Sequence, residues 1–166
     1  MKMIWRNETD HAREILEEYV ASCKVMQLAT ISETGSPAVS NLWFHVHFSP
    51  DKLYYISRYT RERSGNIRRN PQVAGGIVSI PSSTGLGQAV RGVTFKGTAR
   101  ELGADAVHEL EEFHKRWPDS RRMISPQKIA ANGTAQRLYE VSVDEWEIYD
   151  ETIFPKQSCV IPGEHG

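Results

Sequence analysis

Cysteine is scarce in this chain of 166 residues: Cys23 and Cys159 are the only two, and they lie far apart. Their spacing matches no metal-binding or redox motif, so we expect a protein of the reducing cytoplasm. The sequence also lacks an apolar run approaching the roughly 20 residues that span a membrane, and its N-terminus has no apolar stretch of signal-peptide length. These absences predict a cytoplasmic protein that does not enter a membrane.

Excess charge is lacking as well, because 20 basic and 21 acidic side chains leave a formal net charge of -1. Such a balance is not typical of a general nucleic-acid binder. The charges are unevenly distributed, however. Residues 51–100 contain nine Lys and Arg against two Asp and Glu, a local charge of +7, whereas residues 1–50 and 101–166 are both acidic. A basic middle inside an acidic frame predicts one small anionic ligand and no nucleic-acid partner.

The basic middle centres on residues 53–71, LYYISRYTRERSGNIRRNP. A short apolar strand ends there at Ser57, and Arg58, Arg61 and Arg63 follow before a short helix. Arginine binds phosphate through two parallel charge-assisted hydrogen bonds, and a helix start adds unpaired N–H groups. We therefore predict that this hydroxyl and these arginines hold the phosphate of a small cofactor. The alternative is a solvated basic loop.

Hydrophobic periodicity predicts one mainly β domain over residues 1–166, whose tail from about residue 155 is a candidate for flexibility. The predicted strands are 25–31, 37–48, 53–57, 72–79, 88–100 and 137–149, and the predicted helices are an N-terminal one at 8–23, a short one at 63–70 and an inserted one at 104–117. Short connections favour an antiparallel meander of the first three strands. Gly92 and Gly97 suggest bulges or close approaches in the fifth strand. Six such strands predict a small closed antiparallel barrel.

Several runs occur in an order that resembles a known family. They are QLATISETGSPAVSNLWF, LYYIS, NIRRNPQVA and RGVTFKGTAR, followed by the closing strand LYEVSVDEWEIY. This series resembles the pyridoxamine 5'-phosphate oxidase-like family of FMN-binding split barrels, in particular its small bacterial members. The resemblance implies a six-stranded antiparallel split β-barrel of Greek-key type. It also implies a homodimer with FMN at the interface between the two barrels.

The resemblance further implies which residues contact the cofactor. It places the flavin against the second strand, at Asn41, Leu42, Trp43 and Phe44, and it places an aromatic residue, Tyr149, near the flavin of the partner subunit. Strand alternation puts Asn41 and Trp43 on one face. We expect the Trp43 side chain in the core, with backbone groups of this strand against the flavin ring.

The phosphate loop of oxidases in this family reads Thr, then four residues on Ser-Arg-Lys, and the positions here are Ser57, Arg61, Glu62 and Arg63. Glu62 places an acid where the family has a cation, and Arg58 and Arg61 could restore that charge. Gly92 falls where family members place a flavin-contacting Gln. The C-terminal tail lacks the basic Arg and His signature of true pyridoxamine phosphate oxidases, so we do not expect the vitamin B6 oxidase reaction.

These implications predict an FMN-binding oxidoreductase that acts on an unknown small molecule. The alternatives are a reductase that uses a deazaflavin coenzyme and a non-catalytic flavin- or haem-binding protein. The haem alternative points to His45 and His47, which lie two apart on a strand and therefore share a face. Because the sequence shows no third ligand beside them, we predict no metal site.

Overall fold

The computed structural model describes residues 2–88, 90–131, 133, 135–154 and 158–166, with side chains from residue 9 onward. Within these residues the fold is mainly β, with eight antiparallel strands that curl into a half-barrel and four α-helices. The predicted fold class, a split barrel with an N-terminal helix and an inserted helix, is confirmed. The structure has two more strands than the six predicted, and its sheet is a half-barrel with two edges, so the expectation that the barrel closes is wrong.

The strands are β1 (Val25–Ile31), β2 (Pro37–Trp43), β3 (His45–His47), β4 (Lys52–Arg58), β5 (Gln72–Ile77), β6 (Arg91–Leu102), β7 (Gln136–Asp150) and β8 (Cys159–Pro162). The helices are α1 (Lys2–Ser22), α2 (Glu62–Arg69), α3 (Val107–Arg116) and α4 (Pro126–Ala131), with a 3-10 helix at Pro118–Arg122. We call residues 107–131 the inserted segment. No helix in the described residues is both long enough and apolar enough to cross a membrane.

The two edges of the sheet are formed by one stretch of chain that bends at Phe44. The strand order is β2-β1-β5-β6-β7-β4-β3, with β8 beside β7. β2 ends at Trp43, opposite Val25, which is the first residue of β1. The Phe44 N–H still donates to the carbonyl of Lys24, which precedes β1, at 3.3 Å, and the chain then turns away so that β3 pairs with β4. The single strand predicted at 37–48, and with it the simple three-strand meander, is wrong for this reason.

The sheet separates two hydrophobic clusters, and strand alternation decides which cluster a residue joins. Tyr55 of β4 points into the barrel interior, where it joins the buried side chains of α1. Tyr54 faces the other side and joins a cluster beneath the inserted segment. Continued alternation places Ser57 on the barrel side of β4 and Arg58 on the side of the inserted segment.

A buried carboxylate ties the N-terminal helix to the sheet and to the end of the chain. Asp51 precedes β4 and is 0% exposed. Arg13 of α1 donates to both of its oxygens, from Nη1 at 2.7 Å and from Nη2 at 2.6 Å. Trp146 of β7 donates its indole N–H at 2.7 Å, and the backbone N–H of Glu164 donates at 3.1 Å. Three distant parts of the chain therefore meet on one side chain.

The end of the chain contributes an unpredicted strand. β8 pairs with the second half of β7, with Ile161 opposite Trp146, and the Ile161 side chain is buried in the barrel cluster. The tail from about residue 155 is predicted to be a candidate for flexibility. Its first three residues, 155–157, lie outside the described residues. Within the described residues from 158 onward, the tail is attached to the sheet by this strand.

Glycine allows close approaches at two points of β6. The pairing with β7 shifts register between Lys96 and Gly97, which confirms a bulge in the predicted fifth strand. A Cβ atom at Gly97 would lie 2.1 Å from the backbone oxygen of Ser142, so no larger residue fits there without displacement. At Gly92 a Cβ atom would lie 2.0 Å from the hydroxyl of Tyr149, whose phenol ring covers this glycine.

Candidate functional site

A cleft of about 690 Å³ opens between β2, the end of β4, the start of α2 and the inserted segment. Its lining includes seven of the nine residues expected to contact a cofactor, namely Asn41, Leu42, Trp43, Ser57, Arg58, Arg61 and Arg63. The remaining lining residues are Ile56, Phe113, Trp117, Asp119, Ser120, Met123 and Gln136. The volume and the mixture of apolar walls with a few polar groups are those of a small-molecule site.

One corner of the cleft is built around Arg63, and we call it the Arg63 corner: Ser40, Ser57, Arg61 and Arg63. The Arg63 guanidinium donates from Nε to Ser57 Oγ at 2.9 Å and from Nη1 to Ser40 Oγ at 3.3 Å. Ser64, buried on the first turn of α2, supports the corner by donating to the Arg58 carbonyl at 2.9 Å. These contacts hold the guanidinium and two hydroxyl groups at the end of a strand and the start of a helix.

The Arg63 corner carries positive charge that no described residue neutralises through an ion pair. Burial lowers the pKa of Arg63, and the nearby charge of Arg61 acts in the same direction. Arg61 is exposed, and its side chain makes no hydrogen bond or ion pair with the part of the chain that the structure describes. Because a bound anion would offset both effects on Arg63, this corner has the electrostatics of an anion site.

A second corner lies on the other face of β4. Arg58 is exposed and is paired in register with Gln136 of β7, and both residues line the cleft. We call these two residues the Arg58 corner. The Arg58 side chain has no hydrogen-bond or ion-pair partner among the described residues. Asp119 also lines the cleft, but it forms an ion pair with Arg122, so its charge is balanced locally.

Two tryptophans form an aromatic wall between the sheet and the inserted segment. The rings of Trp43 and Trp117 meet edge to face, with centroids 4.8 Å apart. The Trp117 indole N–H donates to the Phe44 carbonyl at 2.9 Å, which anchors the inserted segment to the bend of the chain. The Trp43 side chain is 57% exposed, so the expectation that it lies in the core is wrong. β2 is an edge strand, and among the described residues its Trp43 ring packs against Trp117 only edge to face, which leaves much of Trp43 exposed.

Two residues expected at the cofactor do not line the cleft with their side chains. The Phe44 side chain is buried in the barrel interior. Tyr149 lies on β7 over Gly92, outside the cleft, and is partly exposed. Glu62 begins α2 and lines a shallow cavity beside the β1–β2 turn instead of the cleft. Contacts of Phe44 and Tyr149 with a flavin therefore stay predictions.

Residues 9–150 match the sequence profile of the pyridoxamine 5'-phosphate oxidase family. The chain belongs to this family. The matched region contains the whole cleft, both of its corners and the inserted segment. No curated protein is significantly similar to the chain in sequence.

Solved structures that share the fold of this family member have different stated roles. HutZ, the haem storage protein of Vibrio cholerae, is 17% identical with a TM-score of 0.61, over 78% of this chain and 88% of its own. An F420 reductase is 18% identical with a TM-score of 0.57, over 78% of this chain and 94% of its own. A protein of unknown function from Agrobacterium tumefaciens is 14% identical with a TM-score of 0.64, over 79% of this chain, and this chain spans about half of it, 53%. Such low identities show the fold alone.

The wall that the inserted segment contributes was missed by sequence reasoning. Phe113, Trp117 and Met123 line the cleft of this family member. The helical spacing of Phe113 and Trp117 indicated a packed face, but nothing local in the sequence indicates that this face covers the end of β4. One signal for this wall was present in the sequence. Alternation places the apolar Ile56 on the outer face of β4, so another element has to bury it there.

The two histidines of β3, His45 and His47, lie outside the cleft. His45 and His47 line a separate cavity of about 280 Å³ with His108 and Glu112 of α3. Burial lowers the pKa of His45. Within the described residues, no group of three or more His, Cys, Asp or Glu side chains is arranged to hold a metal ion. The pair is therefore not part of the cleft that gathers the other predicted residues.

Proposed function

We propose that this member of the pyridoxamine 5'-phosphate oxidase family binds FMN in the cleft and uses it to oxidise or reduce a small molecule. The observation that carries the proposal is the position of the Arg63 corner next to Asn41 and Trp43. An anion site thus adjoins a wall suited to a flat ring, which matches the two ends of FMN. The uncompensated charge of Arg61 and Arg63 fits the phosphate group.

In this proposal the chain contributes binding, orientation and exclusion of water. Ser57, Arg61 and Arg63 hold the phosphate, and the β2 segment with Asn41 orients the ring. The Trp117 side of the cleft keeps bulk water away from the ring. Bound flavin would supply the redox chemistry, as cofactors do in such proteins.

The visible absorption spectrum of the purified protein tests this proposal. We expect a flavin band that stays with the protein after incubation with excess FMN and desalting. A flavin-free spectrum after the same treatment contradicts FMN binding. A retained flavin that no nicotinamide nucleotide reduces would instead support a non-catalytic flavin-binding protein.

A deazaflavin-dependent reductase is the second candidate, and the surplus of positive charge favours it. Arg58 and Arg61 have no partners among the described residues, so the cleft offers more charge than one phosphate needs. A coenzyme with a longer anionic tail, such as F420, would use that charge. The same desalting experiment with F420 separates the two candidates, because each predicts retention of a different chromophore.

We also propose a homodimer with the cofactor near the interface. Val39 and Trp43 are 67% and 57% exposed on the outer face of the edge strand β2, beside the cleft. A second copy would cover these apolar side chains, which are costly to leave in water.

The Val39→Glu variant is therefore expected to dissociate into monomers, as measured by light scattering coupled to size exclusion. Val107→Glu is the matched control, because Val107 is 56% exposed on α3. Equal masses for wild type and Val39→Glu contradict this interface.

Two further parts of the proposal concern location and substrate. We propose a cytoplasmic location, because the sequence has only two cysteines, Cys23 and Cys159, and their spacing matches no metal-binding or redox motif. The described tail, residues 158–166, contains no arginine. We therefore propose a substrate other than a vitamin B6 phosphate.

A further inference from the structure

We infer that the substrate of this protein is a small aromatic or apolar carboxylate whose anionic group binds in the Arg58 corner. The inference depends on the proposed function in one respect, which is that the cofactor phosphate occupies the Arg63 corner. It adds a second anion site to the same cleft. It also proposes which class of substrate packs against the wall formed by the inserted segment.

The two corners are separated by the strand β4 itself. Ser57 lies on the barrel side with Arg63, which bonds to it, whereas Arg58 lies on the opposite face with Gln136 across from it. On the Arg63 side, the charge of Arg61 acts with burial to lower the pKa of Arg63, which shows that these two guanidiniums lie near each other. The cleft therefore offers guanidiniums on both faces of β4, and we assign the cofactor phosphate to the face of Arg61 and Arg63.

The Arg58 corner has the donors for an oxyanion of its own. Arg58 is exposed, lines the cleft and has no hydrogen-bond or ion-pair partner in the described parts of the chain. Gln136 adds an amide donor directly opposite. A planar guanidinium matches a planar carboxylate in a two-bond arrangement, which makes this the favoured anion. The Asp119 carboxylate nearby does not cancel the site, because Arg122 is its partner.

The surface next to the Arg58 corner is apolar and aromatic. Ile56, Phe113, Trp117 and Met123 line this side of the cleft. Trp117 is fixed by its bond to the Phe44 carbonyl, so its ring is a firm wall. Such a surface binds the flat or apolar body of a ligand and leaves the charged group to Arg58. Together the corner and the wall describe a compact ligand with a ring at one end and a carboxylate at the other.

Titration of the FMN-loaded protein with benzoate and benzamide tests the inference. The two probes have the same ring and nearly the same shape, but only benzoate is charged at pH 7. Binding is followed by the flavin absorption spectrum and by quenching of tryptophan fluorescence. We expect benzoate to bind at least about tenfold more tightly than benzamide, and we expect the Arg58→Gln variant to lose most of that difference. Arg121→Gln is the matched control, because Arg121 lies in the inserted segment, pairs with Glu111 and does not line the cleft.

Three outcomes overturn the inference: equal affinity for the two probes, unchanged benzoate affinity in Arg58→Gln, or an equal loss in Arg121→Gln. If the protein retains no FMN, the proposed function fails but the inference is still tested. The flavin-free protein is then titrated with benzoate in three forms: wild type, Arg58→Gln and Arg63→Gln. Benzoate affinity that falls in Arg58→Gln and stays near the wild-type value in Arg63→Gln supports the second anion site. Benzoate affinity that falls in Arg63→Gln and not in Arg58→Gln contradicts it.

Discussion

Replacing Asp51 with asparagine is expected to lower the free energy of unfolding by about 3–5 kcal/mol. The carboxylate is fully buried, and it accepts hydrogen bonds from Arg13, Trp146 and the backbone of Glu164. The amide of asparagine cannot pair with the Arg13 guanidinium through both oxygens, so a largely buried cation loses its most buried carboxylate partner and keeps only the more exposed carboxylates of Glu17 and Glu164. For a chain of this size, the loss corresponds to a fall in Tm of roughly 6–20 °C.

Urea and thermal denaturation measure this effect, and Asp144→Asn is the matched control. The Asp144 side chain is 55% exposed and its partner is His165, so its replacement is expected to change stability by less than about 1 kcal/mol. A similar small change for Asp51→Asn would show that the Arg13 contact adds little to the fold.

The stabilisation by Asp51 should also depend on pH. Burial alone would raise the pKa of Asp51, but the hydrogen bonds from Arg13 and Trp146 outweigh it and hold the pKa below its ordinary value. The folded-state pKa is therefore lower than the unfolded-state pKa of about 3.9. The contribution to stability is complete above the unfolded value and is lost as pH falls through the folded value. The stability difference between wild type and Asp51→Asn is accordingly expected to be constant at neutral pH and to shrink below about pH 4.

Replacing Arg63 with glutamine is expected to weaken FMN binding by about 1.5–3 kcal/mol, which is tenfold or more in Kd. The guanidinium is held by Ser57 and Ser40, so it is oriented before the phosphate arrives. Glutamine keeps a hydrogen-bonding group but removes the charge. Quenching of FMN fluorescence on titration with protein gives the two dissociation constants.

Arg69→Gln is the matched control for Arg63→Gln. Arg69 ends the same helix, bonds to Asn66 and does not line the cleft. Its loss should leave the dissociation constant for FMN within a factor of about two of wild type, since a distant surface charge is screened. Equal affinities for wild type and Arg63→Gln would remove this arginine from the phosphate site.

Local pattern in the sequence predicted the elements that depend on neighbours in the chain. The short apolar run of β4 and the arginines after it placed Ser57, Arg58, Arg61 and Arg63 at the end of a strand, and all four line the cleft. The helical spacing of α1 and the glycine bulge at Gly97 were also predicted correctly. In each case the physical signal, an apolar run, a helical period or conformational freedom, is carried by nearby residues of the chain.

The missed features depend on contacts between distant parts of the chain. The 37–48 run keeps its alternation through Phe44, so its change of partner from β1 to β4 leaves no local mark. The exposure of Trp43 follows from the edge position of β2, which the strand order decides and the local pattern does not. In the same way, Met123 reaches the cleft because the inserted segment covers β4, and this could not be inferred from its own neighbourhood.

The bend at Phe44 limits how the cleft can change shape. Trp43 ends one edge of the sheet and His45 begins the other, and two residue steps of chain span at most roughly 7 Å. The backbone is thus a tether of fixed length between the two edges, and no ligand can spread them further at this point. Any widening of the cleft at this point therefore requires displacement of the inserted segment, which is held here by the bond from Trp117 to the Phe44 carbonyl. Residues 107–131 thus form the wall of the cleft that this backbone tether does not fix.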